Sequence, residues 1–511
     1  MTNQSDRVET GKICLVMPPS IFLLDERVFV NLGLLKVAAV LERAGVPLDV
    51  LDLSGIENFE AVLEDYCVQN PETRLFGLTS TTPQMPQTAR IARCLRRAQP
   101  AARLILGGPH VTLIHTAYKK EVKRGVPDRA TRAFEQLDAM FDVLVCGDGE
   151  DAVFEALRAD APKVIDANLK SSPLFMSNAR YEAHPFPARH LVDLKSYHYQ
   201  IDGFPATSLI AQLGCPFACG FCGGREAPFL RRIRNRSVAN IVREVADIHR
   251  DYGYTGFMFY DDELNVNPEM VALMNALSDL QMSLGTAFRF RGFVKSELFT
   301  PEQAQAMYRA GFRWLLSGFE SGSPRILENM NKKATRADNS RCMETAHRAG
   351  IKVKALMSLG HPGESTQTAT DTLDWLLATQ PDDFDVTIIT TFPGTPYYDH
   401  AVPTGEPGIY CYTYRKTGDR LFQIELDYNE TADYYKGDPN GGYRSFVYTD
   451  FLSPDELVTI RGDMEREVRE KLGIPFNPAQ AAVRYEHSMG QIGGGLPDFI
   501  HRRANTSSPV P

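Results

Sequence analysis

The sequence predicts an α/β protein of two units in tandem, an open parallel sheet followed by a partial barrel, with a smaller region behind them. Three observations carry this. Apolar runs of strand length alternate with helical-period stretches over residues 13 to 158, the alternation restarts near residue 206 and continues to about 400, and a proline-rich stretch without periodicity separates the two. At 511 residues the chain exceeds one ordinary core, which agrees with such a division.

The first strand is "KICLVMPPS", an apolar run ended by a proline pair, and "NLGLLKVAAVLERAG" follows it with apolar residues at helical spacing up to Gly45. "VPLDVLDL", "LFGLTST", "ARLILGG" and "FDVLVCG" read as four more strands, each ahead of a helical stretch. Five such units place helices on both faces of an open parallel sheet of Rossmann or flavodoxin type. Ligands of these sheets sit at the carboxyl ends of the strands. Here those ends are "MPPS", "TSTTPQ", "GGPHVT" and "GDGED", rich in small and turn-forming residues. Residues 1–12 are expected to be a flexible N-terminus, 13–160 the sheet domain, and 161–205 a linker.

In the second unit the strands are "SLIAQLG", "GFMFYDD", "AFRFRGF", "WLLSGFE", "VKALMSLG" and "VTIITTF", separated by helical stretches closed by glycine. Six βα units suit a partial (β/α)6 barrel of TIM type over residues 206–400, with its site at the strand C-termini. The region 401–501 is expected to be mostly helical or irregular and to close the pocket, with one helix capped by Ser453. The tyrosines at the end of the barrel and after it, Tyr397, Tyr398, Tyr410, Tyr412 and Tyr414, are read as packing before stacking contacts. Residues 502–511 are expected to be a disordered tail.

Composition excludes several function classes. Net charge is −9 without a long basic run, so nucleic acid is not an expected partner. No apolar run reaches the roughly 18 residues of a membrane span. The polar N-terminus lacks a secretory core, and nine cysteines show no framework spacing. A cytoplasmic location is the expectation.

Cys215, Cys219 and Cys222 fall directly after the first barrel strand. Clustered thiolates suit soft ions, zinc or an iron–sulfur cluster. Structural zinc wants four closed ligands, and no fourth Cys or His lies within 15 residues on either side. A cubane held by three cysteines leaves one iron open to a small molecule. "CPFACGFC" has the C-x3-C-x2-C pattern, with Phe221 before the last cysteine, and so resembles the radical S-adenosylmethionine (SAM) enzymes. Likewise "FMFYDDELNVN" is similar to the segment that approaches the SAM amino group (Tyr260, Asp261, Asp262), and "SGFESGSPRILENMNK" to the fourth-strand segment, with Glu320 and Ser321 at SAM. "LMSLGHPGES" and "TTFPGTPYYD" resemble the segments around adenine and ribose, which include Gly360 and Pro393. Arg289 and Arg291 share one face of the third strand; Arg291 is a candidate for a SAM or substrate carboxylate, and pairing with a neighbouring acid is the other reading. The resemblance implies a 4Fe-4S cluster, reductive cleavage of SAM to a 5′-deoxyadenosyl radical, and a flavodoxin- or ferredoxin-type reducing partner.

The sheet domain resembles the cobalamin-binding domain found ahead of many such barrels. The resemblance rests on Pro18 and Pro19 after the first strand; Thr79, Ser80 and Thr81 after the third; Gly107, Gly108 and His110 after the fourth; and Gly147, Gly149 and Glu150 after the fifth. Small residues there suit close approach of a corrin. The D-x-H-x-x-G motif that supplies a histidine to cobalt is missing, so the resemblance implies base-off cobalamin without a protein histidine, and His110 is a loop or tail contact. A dinucleotide reading of "GDGEDA" fails because that fingerprint belongs after the first strand. The family then implies a cobalamin-dependent C-methyltransferase, class B, in which methylcobalamin supplies the methyl group to an unactivated carbon of a small-molecule, natural-product intermediate. A non-methylating outcome such as cyclisation or ring rearrangement is the alternative, and a non-catalytic cobalamin-binding protein the second. Methylthiolation of tRNA would need a second cysteine triplet, whereas Cys14, Cys67, Cys94 and Cys146 are scattered.

Overall fold

A computed structural model describes residues 11–23, 25–432 and 444–475. The expectations for most of 1–12, for 476–501 and for the 502–511 tail lie outside these residues. The first domain holds β1 (Ile13–Met17), β2 (Leu48–Asp52), β3 (Leu75–Thr79), β4 (Arg103–Gly107), β5 (Val143–Cys146) and β6 (Val164–Asp166). They form one parallel sheet in the order β2-β1-β3-β4-β5-β6. Strand order reverses between β1 and β3, the place where open sheets bind ligands. β6 comes from residues expected to lie in the linker; only three residues long, it has no room to show a period.

Side chains alternate across this sheet as a strand's period of two requires. Ile13, Leu15, Ile105 and Val145 bury one face against Leu35, Ala39 and Ala156, while Cys14, Val16, Phe76 and Leu104 bury the other against Leu63, Ile91 and Leu95. The first of these cores runs on without a break into the helical shell of the barrel.

The barrel strands are Phe204–Leu209, Gly256–Phe259, Arg289–Gly292, Trp314–Glu320, Lys352–Leu359 and Asp383–Ile388, parallel to one another, and the first also pairs antiparallel with Gln200–Ile201. Third and fourth strands meet only at the bridges Phe290↔Phe312 and Phe293↔Leu316, where the sheet splits into two ladders. Phe257, Phe259, Phe290 and Phe312 stack on the outer side under the helices. Met258, Leu316 and Leu356 form a separate apolar layer inside.

The last barrel strand is an open edge. Arg461 and Arg469 of the helix Pro454–Leu472 donate to the carbonyls of Val386 (2.9 Å) and Phe384 (2.8 Å), so this edge is covered. Ser453 caps that helix by accepting from the Glu456 N–H. Ahead of it, the region expected to be mostly helical or irregular holds a four-stranded antiparallel sheet: Val402–Pro403, Ile409–Thr413, Arg420–Ile424 and Val447–Tyr448. Its strands are too short, and too rich in tyrosine on both faces, to show the apolar alternation that marks a strand. Among the described residues no helix is long and apolar enough to cross a membrane.

Candidate active site

The cysteine loop leaves the first barrel strand and is pinned from several sides. Asp261, at the end of the second strand, accepts from the backbone N–H groups of Ala211 (3.1 Å) and Gln212 (2.5 Å). Burial pushes its carboxyl up to about 7, against those two bonds. Arg225 donates to the Cys215 carbonyl at 2.8 Å, and Asn331 to that of Ala218 at 2.8 Å. Gly220 donates to Met330 and accepts from the Tyr397 N–H, and a β-carbon there would stand 2.2 Å from the Tyr397 ring. That glycine is needed for a close approach, not for its turn.

Cys215 and Cys219 are buried and Cys222 is half-buried. Burial pushes the Cys222 thiol up to about 12, with Arg225 opposing. Among the described residues no three His, Cys, Asp or Glu side chains converge on a point that would hold a single ion. Cys215 and Cys219 lie close enough to act on the Cys222 thiol, and three thiols on one loop beside a guanidinium suit an iron–sulfur cluster.

Glu320 ends the fourth strand at φ 65, a left-handed conformation rare outside glycine, where the register with the fifth strand slips between Gly318 and Glu320. Its carboxylate lies over Gly318, pairs with Lys332 at 3.1 Å, and accepts from the Ser358 hydroxyl at 2.9 Å. Burial works against the Lys332 charge, but Glu320, Cys219 and Glu263 outweigh it and hold its pKa above the usual range. Glu263 is half-buried in the same mouth, and desolvation raises its carboxyl to about 7 against Lys332 and Lys295.

Other expected SAM residues scatter. Phe221 packs edge-on to His361 at 5.1 Å between ring centroids. Tyr260 is 39% exposed, beside Phe29, and Asp262 pairs with Arg225 at 3.7 Å. Ser321 turns away from the mouth to the Thr372 hydroxyl (2.9 Å) under a helix, and Asp261 is likewise committed to the backbone. Arg291 donates to the Tyr199 hydroxyl inside the barrel at 3.1 Å, and Arg289 lies over the Phe204 ring. Gly360 donates to Glu364 in the loop after the fifth strand, and Pro393 precedes Gly394, which donates to Asp399. Lys332, Glu263 and His361 were missed. Glu263 is the third acid of "DDE", one residue past the two selected, whereas nothing in "NMNKK" distinguishes Lys332.

A cavity of about 670 Å³ opens at the carboxyl ends of the N-terminal strands and is walled opposite by Ile210, Leu213, Tyr260 and Phe392 at the ends of barrel strands. Pro18, Thr79, Thr81, Gly107, Gly108, Gly147, Gly149 and Glu150 line it. Pro19, Ser80 and His110 do not; Ser80 donates to the Thr81 carbonyl, and the buried His110 ring bonds the Thr82 hydroxyl at 3.2 Å. Burial holds His110 down to about 3, hence neutral. Small residues were expected here to admit a corrin. At Gly108 (φ 94) and Gly147 (φ 99), however, a β-carbon would collide with the chain itself, 2.6 Å from the Thr79 hydroxyl and 2.7 Å from Ala167. From the strand ends the cavity continues over an apolar sheet face of Ile13, Leu15, Gly77, Ile105 and Val145. A large rigid group with an apolar appendage fits such a space.

Residues 209–376 match the radical SAM superfamily, and residues 26–138 match the B12 binding domain. An uncharacterized methyltransferase of Pyrococcus horikoshii is 26% identical over 76% of this chain and 83% of its own. The anaerobic magnesium-protoporphyrin IX monomethyl ester cyclase of Rubrivivax gelatinosus is 21% identical over 69% and 62%. In fold, the chain is similar to the radical SAM methyltransferase TsrM from Kitasatospora setae, solved with cobalamin and a [4Fe-4S] cluster, at a TM-score of 0.63 and 17% identity over 93% of each chain. Radical SAM membership implies a 4Fe-4S cluster and SAM, and the B12 domain implies cobalamin. The chain is thus an enzyme of the radical SAM superfamily, of the kind that carries a B12-binding domain ahead of its barrel.

Proposed function

We propose that the protein is a cobalamin-dependent radical SAM C-methyltransferase acting on an unactivated carbon of a small-molecule, natural-product intermediate. The observation that carries this reading is the shared cavity: one wall is the ligand edge of the B12 domain, and the other is the rim of the barrel that bears the cysteine loop. When bound, SAM on the cluster would supply a 5′-deoxyadenosyl radical, and cobalamin a transferable methyl group. Cys215, Cys219 and Cys222 would hold the cluster; Glu320, Phe221 and the Gly360 and Pro393 loops would border SAM. The chain's own part is to orient these groups on one substrate and to keep water out, and positioning of this kind accounts for much of catalysis.

Cobalamin would bind base-off. The apolar sheet face supports this by offering a place for the displaced nucleotide base, and no histidine among the described residues lines the cavity. Pro18, Thr79, Thr81, Gly107, Gly108, Gly147, Gly149 and Glu150 would border it. An external flavodoxin- or ferredoxin-type donor would reduce the cluster. Likeness to a cyclase favours a second reading, the same cofactors with ring closure in place of methylation.

The test is anaerobic reconstitution with iron, sulfide, cobalamin and methyl-labelled SAM. Formation of both S-adenosylhomocysteine and 5′-deoxyadenosine, with label on a substrate carbon, supports methyl transfer; deoxyadenosine without label transfer selects ring closure. Cobalamin binding with no SAM cleavage under reduction would leave only a binding protein. Cys219→Ala should lose the cluster and keep cobalamin.

A further inference from the structure

Behind Glu320 runs a chain of buried polar groups that the proposed chemistry does not use. Ser358 donates to Glu320 at 2.9 Å, so its one proton is committed. His361 Nε2 lies 2.8 Å from the Ser358 oxygen and must therefore be the donor there. His361 Nδ1 is then an acceptor, and the Tyr397 hydroxyl, 3.3 Å away, is the donor to it. Burial keeps His361 neutral, its pKa pushed down to about 3, as this tautomer requires.

Tyr397 is fully buried, and it also touches the cysteine loop. Its N–H donates to the Gly220 carbonyl at 2.9 Å, and its ring fills the space where a Gly220 side chain would be. Its own carbonyl accepts from Gln423 at 2.7 Å. Every proton in the line points one way, from the tyrosine under the cysteine loop to the carboxylate at the strand end.

We propose that Tyr397, His361 and Ser358 form a positioning strut that holds the Glu320 carboxylate in fixed register with the cysteine loop, so that the two ends of the SAM site are spaced by one rigid element. The strut rests on the reading of Glu320 as a SAM contact. Three side chains, one from the fifth strand, one from the loop after it and one from the short helix Pro396–Asp399 after the sixth, thereby act on a carboxylate of the fourth.

The experiment measures equilibrium binding of SAM to the anaerobically reconstituted full chain, followed by the change in the cluster spectrum, with iron content and thermal midpoint recorded for each variant. Tyr397→Phe keeps the ring against Gly220 and removes only the hydroxyl. It should retain the cluster and bind SAM about fivefold to tenfold more weakly, the equivalent of one hydrogen bond. Ser358→Ala should do the same, and Ser358→Thr, which keeps the hydroxyl, should restore affinity. Placed on Glu320→Gln, Tyr397→Phe should add no further loss, because its effect passes through the carboxylate. Wild-type affinity in Tyr397→Phe and Ser358→Ala, or full additivity with Glu320→Gln, would overturn the strut. If Glu320→Gln itself leaves SAM binding unchanged, the SAM role of Glu320 fails, and the strut falls with it for that separate reason.

Discussion

Gly318 has a hydrogen where any other residue carries a β-carbon, and the Glu320 carboxylate occupies that room, 2.4 Å from where the carbon would be. Gly318→Ala should push the carboxylate off Lys332 and Ser358, destabilising the fold by about 1–3 kcal/mol, as overpacking does; denaturant unfolding measures it. Lys332→Met should cost about 3 kcal/mol, because it leaves the half-buried Glu320 carboxylate without its cation. Glu364 behaves in the opposite sense. Burial raises its carboxyl from 4.5 to about 7 in the fold, so between these values the folded state binds the extra proton and stability falls as pH rises. Glu364→Gln should flatten that slope and be the more stable form at pH 8, read by unfolding at pH 5 and pH 8. At this scale the cysteine triplet stands out in the sequence, because its spacing alone sets it apart from the scattered cysteines. The sequence does not show that Asp261 bonds the Ala211 and Gln212 backbone or that Ser321 bonds Thr372, because a strand-end polar residue reads the same whether it faces the mouth or bonds a neighbour. His361 and Lys332 were invisible, since burial and partners decide their roles and neither has a local signature.

Among elements, the C-terminal sheet was the least legible and does the most to connect the others. Arg129, from a helix of the B12 domain, is buried between the rings of Tyr398 (3.6 Å) and Tyr410 (4.1 Å) and donates to the Tyr398 carbonyl and to Gln423. Gln423 in turn donates to Tyr397. Of the tyrosines read as packing, Tyr398 and Tyr410 pack around this cation, while Tyr397 packs against Tyr412. Arg129→Ala should cost about 3 kcal/mol, the sum of two buried hydrogen bonds and the ring contacts. It should also speed protease cleavage between residues 401 and 432, whereas Arg129→Lys, which lacks the planar fork, should recover only part of the loss. By contrast, five of the six barrel strands and five of the six N-terminal strands are legible, because long runs buried on one or both faces impose a period and a short edge strand such as β6 does not; the first barrel strand, read as "SLIAQLG", lies earlier, at Phe204–Leu209, where Pro205 and Thr207 break the apolar run.

Over the whole molecule, the two domains share charges as well as a core. Lys120 of the B12 domain pairs with both Glu226, just past the cysteine loop, and Asp399. His400 and Lys120 hold the Glu226 carboxyl down to about 2, so the contribution of this group is complete above pH 4.5 and is lost as pH falls towards 2. Acid should therefore loosen the domain contact before it unfolds either domain, and Lys120→Met should remove that early step, seen as a change in small-angle scattering radius between pH 5 and pH 3.

The cavity walled by both domains also bears on how the protein is made. A fragment ending near residue 205 would keep its sheet and helices but lose the opposite wall, leaving Val28 and Phe29, which pack with Met258 and Leu316 of the barrel, facing solvent. Such a fragment should be poorly soluble however well its strands pair. Cobalamin supplied during expression of the full chain should raise the yield of recoverable protein, because the corrin would fill a hollow that the polypeptide leaves open between its halves.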